Sequence, residues 1–177
     1  RRAGGLKTAA AVAPLAAVMT DGAQPLRLLA VQALNDIASP GALQVLEKSV
    51  DDPDRDVRIA TLRSIAARAY KPALPRVDSA VKGKRAREVD LTEKMALFEA
   101  FGSLAGEPGV TVLEGMLTGK GFLGKREDPE LRACAAMALG RIGGARAMDV
   151  LRKASNDNEK EVLVRNAINR ALRAPAA

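Results

Sequence analysis

A basic residue followed by apolar or small residues three and seven positions later recurs along this chain, and that recurrence constrains its fold more than any other feature. Arg27 is followed by Ala30 and Leu34, Lys94 by Leu97 and Phe101, Arg132 by Ala135 and Leu139, and Arg165 by Ile168 and Leu172. Arg58 is followed by Thr61, which breaks the first position, and by Ile65, which keeps the second. The intervals between the five cations are 31, 36, 38 and 33 residues, the length of one helix pair with its turns. Each of the first four helices leads through a turn into a second apolar segment: Ser39-Pro40-Gly41 into Ala42–Val50, Lys71-Pro72 into Ala73–Val81, Gly106-Glu107-Pro108 into Gly109–Leu117, and Gly143-Gly144 into Ala145–Ala154. Proline near helix starts and glycine near helix ends fit the backbone needs of those positions.

Composition agrees with helices and disfavours sheets. Aromatic residues are 2% of the 177, and alanine and leucine carry the apolar fraction of 47%, whereas strands favour β-branched and aromatic side chains. The expectation is a single array over 1–177. It comprises a remnant helix of an earlier unit in 1–22, repeats at about 25–51, 54–82, 90–118 and 129–155, and a last helix at 160–173. The chain opens without Met, and its N-terminus reads as a cut edge of a longer protein.

An acid precedes four of the cations by four residues: Asp54, Asp90, Asp128 and Glu161. At a helix start such an acid caps free N–H groups and complements the macrodipole, and it can pair with the cation one turn on. These acids, with Arg27, Arg58, Lys94, Arg132 and Arg165, are therefore read as structural repeat positions rather than as a ligand rail.

The openings Asp54-Arg55-Asp56-Val57-Arg58 and Asp128-Pro129-Glu130-Leu131-Arg132, with the stretch Ala135–Gly143, resemble the HEAT repeat family, in particular bacterial HEAT-like repeats of the kind found in phycobilisome lyases. The resemblance implies an all-α fold, an α-solenoid of HEAT-like antiparallel helix pairs in a right-handed superhelical stack. It says little about function, since such repeats serve many partners.

The chain contains no histidine and one cysteine, Cys134. Ser-His and Cys-His nucleophiles and His-ligated zinc are thereby excluded, as is an internal disulfide. No catalytic constellation, metal site or cofactor site emerges, and the chain is read as a binding module, not an enzyme. No apolar stretch reaches the roughly 18 to 20 residues that span a bilayer, so no membrane partner is expected and a cytoplasmic location is. Cys134 is read as a packing residue in an alanine-rich helix.

Two insertions interrupt the period. Gly119–Arg126 satisfies G-x-x-x-x-G-K, but Arg126 stands where a phosphate loop needs Ser or Thr, and acids follow at Glu127, Asp128 and Glu130. It is read as an inter-repeat insertion in which Phe122 and Leu123 are either an exposed anchor for a partner or a cover over the groove between repeats. The other insertion carries Lys82, Lys84, Arg85 and Arg87. Junctions of this kind fall along one edge of a solenoid, which puts these cations beside Lys120, Lys125 and Arg126, one repeat away. The nine residues Lys82, Lys84, Arg85, Arg87, Lys120, Phe122, Leu123, Lys125 and Arg126 are the expected partner-binding set. On the second helices, Glu47, Asp78, Glu114 and Arg152 fall in one outward column, whose three acids oppose a phosphate-binding groove despite the net charge of +7. Another protein is the expected partner, with nucleic acid as the alternative, and a monomer is favoured.

Overall fold

The computed structural model describes residues 2–119, 126–157 and 159–173, with side chains from residue 10 onward. Among these, α1 (Arg2–Asp21) precedes α2 (Gln24–Ile37), α3 (Pro40–Lys48), α4 (Arg55–Arg68), α5 (Leu74–Lys82), the single turn α6 (Arg85–Glu88), α7 (Leu91–Ala105), α8 (Gly109–Thr118), α9 (Pro129–Ile142), α10 (Gly144–Asn156) and α11 (Val162–Arg173). No strand occurs among the described residues, and the chain is an all-α solenoid of HEAT-like helix pairs.

The first helices α2, α4, α7, α9 and α11 stack successively on one another. Each second helix lies against the first helix of the following unit, α3 on α4, α5 on α7, α8 on α9 and α10 on α11. The recurring apolar positions explain this layering. Leu34, Ile65, Phe101 and Leu139 are fully buried or nearly so, as are Leu46, Val77, Leu113 and Leu151, the anchors of the second helices. Leu172, in the last helix, is half-buried.

The helix starts follow from their caps. Asp54 accepts from the N–H groups of Asp56 and Val57, Asp90 from those of Thr92 and Glu93, and Asp128 from that of Leu131. Ser39 caps α3 through Ala42. These bonds satisfy donors that a helix start leaves free.

Within 1–22 the helix α1 spans Arg2–Asp21 and runs through Pro14. One difference from the sequence expectation concerns local structure. The basic insertion is not a plain loop, since residues 85–88 form a helical turn with Ala86 buried beneath it.

Close approach of the first helices depends on small residues. A Cβ at Gly102 would lie 3.0 Å from the carbonyl oxygen of Ala138, and one at Gly140 would lie 2.8 Å from the Cβ of Ala171. Both glycines sit eight residues after their cation, and both alanines six residues after theirs. One repeated contact therefore sets the spacing at two successive junctions.

Candidate interaction edge and the ladder beneath it

Four of the five aligned cations, Arg27, Arg58, Lys94 and Arg132, build a ladder between units. Arg27 donates through Nε and Nη2 to the two carboxylate oxygens of Asp52, each at 3.0 Å. Arg58 does the same to Glu93 at 2.7 and 2.6 Å. Lys94 Nζ donates to Glu130 at 3.0 Å and lies 3.6 Å from Asp128. Arg132 pairs with Glu159, its Nη1 at 3.4 Å from Oε1 and its Nη2 on Oε2. Every partner named lies between the cation's own unit and the next one or in that next unit. The i,i+4 pairing expected between each cation and the acid before it gives way to this forward pairing, because the acid is occupied as a helix cap while the longer cation reaches across the junction.

The arginines among these cations also hold carbonyl groups, in the loops entering their helices or, for Arg132, at the end of α8. Arg27 donates to Gly22 at 2.9 Å, Arg58 to Asp52 and Pro53 at 3.0 and 2.9 Å, and Arg132 to Leu117 at 3.0 Å. Arg165 donates to the carbonyl of Glu159 at 3.3 Å. A guanidinium with five donors can serve a carboxylate and a carbonyl together, which suits arginine to most of these positions.

Several rungs are withdrawn from water. Lys94 is 3% exposed, Arg132 4% and Glu93 1%. Burial pushes the Glu93 carboxyl up, but the guanidiniums of Arg58 and Arg85 overcome this and hold it below the usual range. Burial acts likewise on Glu159, and the hydrogen bonds from Arg132 and from the N–H of Glu161, with the charges of Arg132 and Arg126, together hold it below its usual value. Hydrogen bonding to Glu93 holds the Arg58 guanidinium above its ordinary value. Asp90 lies well below the carboxylate range, chiefly through its bond from Arg55.

The basic insertion is tied into this ladder. Arg85 donates to Glu93 at 3.0 and 3.2 Å and to Asp51 at 3.2 Å. Lys82 pairs with Asp78 at 2.8 Å. Arg87 reaches Glu127 at the end of the second insertion, its Nε at 3.2 Å from Oε2 and its Nη2 on Oε1. Arg126 lies 3.3 Å from Glu159. Lys84 is exposed, with no ion pair among the described residues. Lys120, Phe122, Leu123 and Lys125 lie outside the described residues.

An open depression of about 490 Å³ adjoins the insertion, lined by Asp51, Arg76, Ser79, Gly83 and Lys84 among others. Arg76 spans its rim, 3.0 Å from Asp51 and 3.5 Å from Glu47. On the second helices, Asp78 is paired with Lys82 and Arg152 with Asp149 at 2.8 Å. Among the described residues no group of His, Cys, Asp and Glu converges as a metal site would. Cys134 is buried, and burial pushes its thiol up to about 12, leaving it without thiolate at neutral pH. Among the described residues no helix is long and apolar enough to cross a membrane.

The ladder's acceptors were the part that sequence reasoning missed. Asp52 and Glu159 both stand six residues before a cation, a spacing visible in the sequence, whereas Glu93 and Glu130 follow no common spacing.

A solenoid of stacked helix pairs with a repeated cation at each junction defines a helical-repeat protein. The family model for HEAT repeats matches residues 1–83 and 120–173, and the chain belongs to the HEAT repeat family. Repeats of this family are generally protein-interaction scaffolds and typically non-catalytic. No curated protein matches the chain. The pair α7 and α8 falls between the two matched segments and continues the stack, with Lys94 and Glu93 where other units carry arginine and an apolar residue.

Proposed function

We propose that this chain is a non-catalytic scaffold that binds another protein through the solenoid surface and its two inter-repeat insertions. The observation that supports this reading is the bridge from Arg87, in one insertion, to Glu127, the residue that follows the other. An edge built from two units offers a partner a broad surface with fixed spacing, as solenoids do. Lys84 and the set Lys120, Phe122, Leu123, Lys125 and Arg126 are the side chains this reading assigns to the contact. The chain is taken to act as a monomer, and its single reduced thiol accords with a cytoplasmic location.

Nucleic acid is the second reading, favoured by the net charge of +7. Against it, Lys82, Arg85, Arg87 and Arg126 each already face a carboxylate of the chain. A phosphate backbone would have to displace those partners, and counterion release from such cations is small. A photo-crosslinking residue at position 84, compared with one at Lys153 on α10, tests the two readings in nuclease-treated extract. Protein adducts specific to position 84 are expected. Their absence, together with duplex DNA binding that weakens steeply with salt, would favour the second reading.

A further inference from the structure

The carboxylates of the ladder are committed to their arginines by burial. Asp52, Glu93 and Glu159 each take two donors of one guanidinium and are withdrawn from water. Asp51 is different. It is exposed and bridges two guanidiniums by single bonds, accepting from Arg76 at 3.0 Å and from Arg85 at 3.2 Å. Neither arginine depends on it. Arg76 also faces Glu47 at 3.5 Å, and Arg85 also donates to the buried Glu93. Asp51 can therefore swing out without stranding a charge, as Glu93 and Glu159 cannot.

This exchangeable carboxylate lines the depression of about 490 Å³ beside the basic insertion. Arg76 and Ser79 of α5, Arg85 of α6 and Lys84 between these helices line the same space, all within the body of the array. Three cations thus surround one acid, and Lys84 has no ion pair among the described residues. A carboxylate has two oxygens, and Asp51 spends one on each arginine. A phosphate monoester has three terminal oxygens and a charge of about −2, so it can take both arginines and Lys84 together. The surplus positive charge and the number of donors therefore favour phosphate over carboxylate. A polynucleotide suits the place less well, because its successive phosphates would meet Glu47, beside Arg76, and Asp78, next to Ser79.

We propose that this depression is a binding site for a phosphate monoester dianion. Arg76, Lys84 and Arg85 hold its terminal oxygens, and Asp51 is the internal carboxylate that the ligand displaces. This site stands apart from the scaffold reading, since it accepts phosphate whether free or carried on a side chain.

The test uses the full chain, isotope-labelled for NMR, at mildly alkaline pH, where phosphates are dianions. Inorganic phosphate, the capped peptide Ala-phosphoserine-Ala and the capped peptide Ala-Glu-Ala are each titrated into the millimolar range while backbone amide shifts are followed. Saturable shifts centred on Ser79 and Lys84 are expected with both phosphates, with affinity at least about tenfold above that of the glutamate peptide. Arg76→Gln and Lys84→Gln should each weaken binding at least about fivefold, and Asp51→Asn should strengthen it by a similar factor. Asp149→Asn, which removes the same charge from α10, should leave it unchanged. All four variants alter exposed side chains, and circular dichroism confirms their fold before titration. Tighter binding of the phosphopeptide than of inorganic phosphate assigns the site to a phosphorylated protein, and equal binding assigns it to a small phosphate ligand. Both results uphold the site. Absence of saturable shifts with both phosphates, or equal affinity for the glutamate peptide, would overturn the proposal. So would an equal gain from Asp149→Asn and Asp51→Asn, because overall charge rather than a built site would then govern binding.

Discussion

At the scale of single residues, the ladder shows how a charged group can sit in an alanine-rich core. Arg132 and Glu159 are both largely buried and neutralise each other, and Arg132 also holds the carbonyl of Leu117. Removing Arg132 leaves the largely buried Glu159 with only the more exposed Arg126, at 3.3 Å. Arg132→Met is therefore expected to cost about 3 kcal/mol in chemical denaturation, because an uncompensated buried charge costs more than the pair contributes. The double variant Arg132→Met, Glu159→Met should recover most of that loss. If the double variant is no better than the single one, packing or the carbonyl bond matters more than the charge. Thr61 presents the opposite case. Its hydroxyl is fully buried with no hydrogen-bond partner, at a position that is apolar or alanine in every other unit. Thr61→Val should raise stability by about 1 kcal/mol, since an unsatisfied buried hydroxyl is replaced by a methyl group of similar shape. A lower unfolding midpoint for this variant would mean that the hydroxyl has a partner after all. The cations themselves were legible in the sequence, because a repeated residue at a repeated place leaves a signal. Their acceptors were not, because acids at six, two and one residues before the next cation can all reach the same junction.

At the scale of elements, the helices and their pairing were legible because each unit repeats the same apolar period. The turn at residues 85–88 was hidden. Four residues carry no periodicity, and what fixes this turn is tertiary, with Ala86 buried and Arg85 bonded to Asp51 and Glu93. Whether Phe122 is an anchor or a cover is a question of the same kind, set by surroundings rather than by local sequence. Helix spacing offers a sharper test of the packing. Gly140→Ala places a Cβ 2.8 Å from that of Ala171 and 3.0 Å from its Cα, and a backbone atom cannot rotate away. The overpacking cost of about 1–3 kcal/mol should exceed the roughly 1 kcal/mol that alanine gains as a helix former. Gly115→Ala is the control, since Gly115 is exposed in α8 and its Cβ would meet nothing within 4 Å. Thermal melts should shift downward for Gly140→Ala and upward for Gly115→Ala. Equal shifts would mean that close approach of α9 and α11 does not limit the stack.

At the scale of the whole molecule, the stack is not equally continuous along its length. Buried apolar residues form two clusters. One gathers Met19, Ala30, Val31, Leu34, Ala42, Leu46 and Val57, and the other runs from Val50 and Ile59 to Ala171. The boundary runs through α4, whose Val57 and Ala60 pack with the first cluster across its junction with α2 while Ile59, Leu62 and Ile65 belong to the second. At that junction the residues eight and six places after the cations are Asn35 and Ser64, in place of the glycine and alanine that let α7, α9 and α11 approach closely. Polar contacts add to the apolar ones at this junction, from Arg27 to Asp52 and from Arg68 to the carbonyl of Asn35. In a linear array each unit is stabilised only by its neighbours, so a weak junction divides the molecule into parts that open separately. Hydrogen exchange followed by mass spectrometry should show amides of α1 to α3 exchanging together, well before those of α7 to α11. The polar part of this junction weakens at high salt, so added salt should widen the difference by screening the partly exposed Arg27–Asp52 pair. Uniform protection from α2 to α11, insensitive to salt, would mean that the two clusters fold as one cooperative unit and that the polar bridge couples them as firmly as the close-packed helices do.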